Sequence, residues 1–371
     1  MTVVKDIIAL MEDIAPQHLA EDWDNSGLQC GDRNWAVKHV IVALDPSPSV
    51  IKTACEKNAD LLITHHPLIF RPLKNLILDT PVGEIIDLSV RHRLAVFSAH
   101  TNLDSVHGGL NDLFAQKIGL KNLTFLSSEN DNSLVKLVVY VPVDSYQNLL
   151  NAILETEAGV IGDYTCCTFR QKGIGTFKPG DSSKPFAGKA NALEEATEFR
   201  IETRLQKNQI RGVLDHIRQY HPYETMAYDI YPLHPVESRH GIGRVGELES
   251  PTDLGLFSDQ VKSAFGLTTL KVSGPLDMKV KKIAVCTGSG SGLMKQFFAT
   301  DADVFISGDL KFHDAKDAQA NYRGLIDVGH FASEALMIDL VADRLGAMIK
   351  EKGLDIRVEA FNEEEDPFQY L

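Results

Sequence analysis

Four histidines and two carboxylates stand in three short segments of the chain. ITHHP (63–67) sets His65 beside His66, HTNLD (100–104) supplies His100 and Asp104, and GHFASE (329–334) places His330 four residues before Glu334. At that spacing, His330 and Glu334 share one face of a helix that begins near 330. Each segment also has an ordinary reading: a solvated loop pair, a helix cap or turn at Asp104, and a surface charge pair. Read jointly, they put imidazole and carboxylate donors, with no thiolate, at three strand ends. That donor chemistry suits Zn, Fe, Mn, Co or Ni and not a Cys-type structural zinc. His65, His66, Asp104, His330 and Glu334 are more donors than one closed tetrahedral site needs. They would leave two ions with open positions for water or substrate.

Two further segments are open to more than one reading. CTGSGSG (286–292) is either a loop whose N–H groups hold an anion or a tight turn. SGDLKFHDAKDA (307–318) carries His313, either a proton-transfer or ligand-supporting group or a structural histidine.

The elements that must position these groups are legible as apolar runs. KHVIVALD (38–45), DLLIT (60–64), LAVFSA (94–99), KKIAVC (281–286), DVFIS (303–307) and GLIDV (324–328) read as strands. Helices are expected over Pro48 to Asn58, opened by Ser47 and Pro48, over Pro81 to Arg91, and over Gly108 to Ile118. Strands alternating with helices imply parallel β-α units, which gather ligands at the strands' carboxyl ends. Near the N-terminus, Val3, Ile7, Leu10, Met11 and Ile14 fall at helical spacing after a Thr2 cap. Lys5, Asp6, Glu12 and Asp13 interrupt that stretch and argue against a signal peptide. GHFASEALMIDLVADRLGAMI (329–349) reads as one packed helix and DIRVEAF (355–361) as a closing strand.

The pattern changes in the middle of the chain. LSSENDNS (126–133) reads as a linker. Strands are expected at 134–142, Tyr164 to Arg170, Glu198 to Leu205 and Thr225 to Tyr231, with helices over Ser145 to Glu157 and Asn208 to Tyr220. The order βαββαβ is the ferredoxin-like arrangement. The Gly, Lys, Pro and Ser-rich stretch 178–191 is expected to be a mobile loop or long hairpin. The vicinal Cys166 and Cys167 read either as a metal or redox pair or as successive strand residues facing opposite ways. The expected organisation is α/β: two similar halves (1–125 and 237–371) forming one unit, interrupted by an inserted ferredoxin-like α+β domain (126–236).

Composition narrows the partners. The 371 residues carry 51 acidic and 37 basic side chains, a formal net charge of −14. A chain this acidic has no global attraction for nucleic acid or anionic lipid. No apolar run approaches the ~20 residues of a membrane span. Five cysteines without a CxxC point to a reducing compartment, the cytoplasm.

Read in order, EDWDNSGLQCGD (21–32), ITHHP (63–67), SAHTNLD (98–104), SGDLKFHDA (307–315) and GHFASE (329–334) resemble the Nif-three-like family of dinuclear metal proteins, also named GTP cyclohydrolase 1 type 2 homologs. The resemblance implies that His65, His66, Asp104, His330 and Glu334 ligate two divalent ions between two similar α/β halves. It leaves His100 either a direct ligand or a neighbour of one, and it sets WDNSGL near the cleft. It also implies a toroidal homohexamer and a PII- or CutA-like insert over 134–233. The implied function is a hydrolase that uses metal-activated water on a small molecule, a nucleotide such as GTP, with His100 or His313 moving the proton. The competing expectations are another metal-dependent hydrolase, such as a phosphoesterase, and a non-catalytic metal-binding regulatory or interaction protein, which a PII-like insert favours.

Overall fold

The computed structural model describes residues 1–127, 134–233 and 240–369. The chain forms two compact units, Met1–Ser128 with Arg239–Leu371, and Glu129–Ser238. Most of the linker expected at 126–133 and the boundary expected near 236 lie outside the described residues.

The first unit opens with α1 (Val4–Ile14), which buries Val4, Ile7, Leu10, Met11 and Ile14. Its cap is Val3, not Thr2, and the Asp6 carboxylate accepts the Val3 N–H at 2.9 Å. There follow β1 (Gly27–Cys30), β2 (His39–Ala43), α2 (Pro48–Glu56), β3 (Leu61–Thr64), α3 (Pro81–His92), β4 (Ala95–Ser98), α4 (Thr101–Ser105), α5 (Leu110–Lys117) and β5 (Lys121–Phe125). Pro48 presets the first turn of α2, and the Ser47 hydroxyl accepts the Val50 N–H at 3.3 Å. β2, β3 and β4 run parallel, with Val40 opposite Leu61 and Leu61 opposite Ala95. All three strands are buried along their length. Strands covered on both faces need apolar residues at every position, which is why they read as continuous runs.

The second unit comprises β6 (Leu134–Pro142), α6 (Tyr146–Leu154), β7 (Thr168–Phe177), β8 (Glu194–Gln206), α7 (Ile210–Ile217) and β9 (Tyr228–Pro232). Its antiparallel sheet has the order β7-β8-β6-β9. Alternate residues of β6, Val135, Leu137, Val139 and Val141, pack with Leu149, Ile153, Val213 and Ile217 of the two helices. β7 starts later than the expected Tyr164 and pairs with β8 out to Phe177 opposite Glu194. The stretch 178–191 therefore lies in the connection of a long hairpin. Cys166 and Cys167 precede β7, and Cys166 takes a left-handed φ of 60°, so the two are not successive strand residues.

The chain then returns to the first unit with β10 (Arg244–Asp253), α8 (Leu254–Ala264), β11 (Lys271–Ser273), β12 (Lys279–Ser289), α9 (Met294–Ala299), β13 (Val304–Gly308), α10 (Phe312–Ala320), β14 (Gly324–Asp327), α11 (His330–Glu334), α12 (Leu336–Glu351) and β15 (Arg357–Ala360). One sheet has the order β1-β4-β3-β2-β15 and the other β11-β14-β13-β12-β10-β5. The outer strands are exchanged. Late in the chain, β15 pairs in parallel with β2, while the earlier β5 pairs with β10. The helix expected over 329–349 is divided at Ala335. There the Ser333 hydroxyl donates to the His330 carbonyl at 2.7 Å, in competition with the helix ladder. Among the described residues, no helix is long and apolar enough to cross a membrane.

Candidate metal centre

The groups at the site arrive from the carboxyl ends of parallel strands. β3 stops at Thr64, so His65 and His66 come next; β4 stops at Ser98, ahead of His100 and α4; β14 stops at Asp327, ahead of α11. The N–H groups of His65 and His66 both donate to the Leu44 carbonyl, at 3.1 and 3.2 Å. That turn brings the adjacent imidazoles together, with ring centroids 5.3 Å apart, instead of sending them to opposite faces.

All four rings are oriented in the same way. Nδ1 of His65 lies 2.8 Å from the Ala99 carbonyl oxygen, that of His66 2.8 Å from Asp45, that of His100 2.7 Å from Asp24 and that of His330 2.7 Å from Asp309. Each partner only accepts, so Nδ1 carries the proton and, in the neutral rings, Nε2 keeps a lone pair. Glu334 is 4% exposed and sits among these nitrogens. Its Oε1 is 3.5 Å from His65 Nε2, and its Oε2 is 3.0 Å from His66 Nε2 and 2.9 Å from His330 Nε2. Asp104 Oδ2 stands 3.8 Å from His65 Nε2.

These distances and atom types fit a metal. Donors ~2.1 Å from one tetrahedral ion stand about 3.4 Å from each other. Ligand atoms of His65, His66 and His100 lie within 4.8 Å of one another, as do those of His66, His330 and Glu334. With the rings neutral, so that each Nε2 has only a lone pair to offer, His65 Nε2 and Glu334 Oε2 are buried without a hydrogen-bond partner. Buried polar atoms left unpaired are costly, and a cation at the centre would satisfy them. The His/Glu group can therefore hold a metal ion.

Several residues that support the donors were not singled out in the sequence. Asp45 and Asp309 each follow a strand end, the same signal that marks the histidines. Asp24 lies in WDNSGL; it accepts from the Thr101 N–H at 3.1 Å and from the Ser26 hydroxyl at 2.8 Å, besides meeting His100. Burial works against its charge, but His100, Thr101 and Ser26 outweigh that and hold its carboxyl well below the usual range. Trp23 and Phe70, both exposed, set their rings edge-on to His100 at 6.1 and 6.3 Å. The Thr287 hydroxyl donates to Asp104 at 2.9 Å. Gly288 has φ +64°, and a Cβ there would stand 2.0 Å from Glu334 Oε1. The glycine in CTGSGSG thus lets the end of β12 pass beside Glu334.

His313 is not brought into this group. It lies exposed on the first turn of α10, its ring 5.5 Å from Phe312. The residue of that segment that reaches the site is Asp309, before the helix begins. A cleft of about 470 Å³ opens beside His66 and His330, lined also by Asp45, Lys271, Asp309, Asp327 and Asp366.

Without metal, the centre is held together by protons. Burial opposes the charging of His66, but Asp45 and Glu334 overcome it and push its pKa up to about 10. Glu334 likewise raises His330 to about 9, against the effect of burial. Stability from these raised values is complete below about pH 6.5 and is lost as pH climbs through 9–10. A metal must displace the same protons, so its affinity rises over that interval. Thermal melts of chelator-treated protein should therefore fall between pH 6.5 and 9, while the gain in Tm on adding zinc grows. Parallel pH profiles for the two forms would contradict this coupling.

The site and fold define an α/β protein with a metal-competent centre at its strand ends. A family model described as Duf34/NIF3 (NGG1p interacting factor 3) matches residues 2–367. The "GTP cyclohydrolase 1 type 2 homolog" of Halalkalibacterium halodurans is 40% identical over 365 residues, covering 98% of both chains. The Bacillus subtilis protein of the same name is 39% identical over 367 residues, covering 99% of this chain and 98% of its own. The crystal structure of a Bacillus cereus protein related to NIF3 has a TM-score of 0.69 at 36% identity, covering 100% of this chain and 99% of that one. The chain belongs to the Duf34/NIF3 family.

Proposed function

We propose that the chain is a dinuclear metal-dependent hydrolase of a small molecule, with a nucleotide such as GTP as first candidate. The observation that carries this reading is the placement of Glu334, whose Oε1 faces His65 while Oε2 faces His66 and His330. His65, Asp104 and Glu334 would hold one ion, and His66, His330 and Glu334 the other. Three protein donors each leave room for water and substrate. When bound, such ions supply an acidic water and positive charge for a substrate oxygen. Asp24 orients His100 with Nε2 free to accept a proton, the role that a carboxylate–histidine pair performs in general-base catalysis. The donor set suits Zn, Fe, Mn, Co or Ni.

The nucleotide preference rests on the names of the relatives. Asp45, Asp309, Asp327 and Asp366 face a single Lys271 in the cleft, so the charge of a polyphosphate would have to be met by the ions. The strand order β7-β8-β6-β9 supports a ferredoxin-like, PII- or CutA-type insert, the family resemblance supports a toroidal homohexamer, and the sparse cysteines support a reducing compartment, the cytoplasm. The same insert favours the second reading, a non-catalytic metal-binding regulator.

The test is turnover by metal-reconstituted protein on GTP and a panel of nucleotides and phosphoesters, beside Asp104→Ala. The expected result is hydrolysis that falls at least 100-fold in the variant, in step with metal content and with an unchanged circular dichroism spectrum. Metal-loaded protein that is inert across the panel would overturn the hydrolase reading in favour of the regulator.

A further inference from the structure

The segment after β15 runs back to the residues that orient the imidazoles. Phe361 is buried, and its N–H donates to the Val42 carbonyl at 2.8 Å, which ties the segment to β2. Three residues on, one carboxylate takes two neighbouring backbone donors: Glu364 Oε2 accepts the Leu44 N–H at 2.6 Å and Oε1 the Asp45 N–H at 3.0 Å. Asp45 is the partner of His66 Nδ1 at 2.8 Å. Leu44 supplies the carbonyl that receives the N–H groups of His65 and His66. Beyond Glu364, Asp366, Pro367 and Phe368 line the cleft beside His66 and His330.

We infer that Glu364 is a positioning residue of the metal centre: by clamping the backbone of Leu44 and Asp45, it fixes the Asp45 carboxylate on His66 and the turn that carries both adjacent imidazoles. This rests on the metal-binding reading above. The hydrogen bonds of Glu364 go to the backbone of Leu44 and Asp45, and it acts on the imidazoles through those two residues. A carboxylate is suited to the task because its two oxygens make two charge-assisted bonds to adjacent N–H groups. With Glu364 truncated, water satisfies those donors, and the end of β2 is free to shift under both rings. Outer-layer partners of metal ligands characteristically govern affinity by about 10–100-fold.

The experiment uses the full-length protein loaded with Co(II), read by visible absorption and by competition against a chromophoric chelator. Glu364→Ala should weaken Co(II) binding about 10–100-fold and alter the visible bands. Glu364→Gln, which keeps one acceptor oxygen, should fall between that variant and the wild type. Asn362→Ala, which removes only the tail's 3.1 Å bond to Asp339, should match the wild type. This control separates positioning from simple docking of the tail. Wild-type affinity and spectrum in Glu364→Ala would overturn the inference and leave Glu364 a tail anchor. Should Glu364→Ala fail to fold, a folded Glu364→Gln that binds Co(II) like the wild type overturns it equally. If wild type and Glu334→Gln bind Co(II) alike, the metal-binding reading itself falls and takes this inference with it.

Discussion

Glu334→Gln should strip the centre of both ions, whereas His330→Ala should remove only one. Glu334 is almost wholly buried, and its Oε1 faces His65 while its Oε2 faces His66 and His330, so it stands between the two proposed positions. Glutamine keeps the volume but removes the negative charge and one of the two acceptor oxygens. Metal affinity should fall well beyond the 10–100-fold cost of losing an outer partner. The fold should survive, because without Glu334 the rings of His66 and His330 lose a partner that raises their pKa and sit neutral more readily. Metal analysis after dialysis against trace metal should give close to zero ions per chain for Glu334→Gln and close to one for His330→Ala. Two ions retained in Glu334→Gln would remove Glu334 from its bridging place.

The four histidines that meet at the centre were legible because each comes within three residues of the end of a buried strand, and Asp104 and Glu334 because they ride on the short helices α4 and α11 that follow two of those strands. A polar side chain at that place cannot enter the core that the strand builds, and parallel strands deliver their ends to one edge. His313 follows a strand too, but Asp309 comes first and takes the inward position, so α10 starts beyond the site with His313 exposed. Asp24, Asp45 and Asp309 escaped notice for another reason: aspartate in a loop before or after a strand is an ordinary turn residue, and only its partner across the fold gives it a role. CTGSGSG read as an anion loop or a turn because glycine marks a need for space without saying what fills it. At Gly288 the occupant is Glu334. The exchange of β5 and β15 between sheets depends on pairings more than a hundred residues apart in the chain, for which local pattern holds no signal.

The largest loss of stability is expected from Arg244→Met. Arg244 is 1% exposed and Asp112 4%, and the guanidinium donates to Asp112 through Nε at 2.8 Å and also through NH2. The same group donates to the carbonyls of Gly241, Gly243 and Val106 at 2.6, 2.8 and 2.8 Å. This clamp ties the start of β10 to the start of α5. Asn111, next to Asp112, donates to the Asp104 carbonyl at 3.1 Å and accepts the Thr287 N–H at 2.9 Å. The end of α4, which carries Asp104 to its proposed place at the metal centre, is thus tied through Asn111 to the residue beside the clamp. Removing one member of a buried ion pair leaves the other charged and uncompensated, at a cost of about 3–5 kcal/mol. For a unit of this size, that is a fall in Tm of roughly 10 °C. Replacing both partners with apolar residues removes the stranded charge, so Arg244→Met with Asp112→Leu should recover much of the loss. Denaturant melts of the two single variants and the double variant give the coupling directly. Single-variant losses that simply add in the double variant would show that the pair does not act as a unit. Metal content should then separate the two layers of the design: Arg244→Met is expected to bind metal more weakly even under conditions where it is fully folded, because the end of α4 carrying Asp104 has lost the support that reaches it through Asn111.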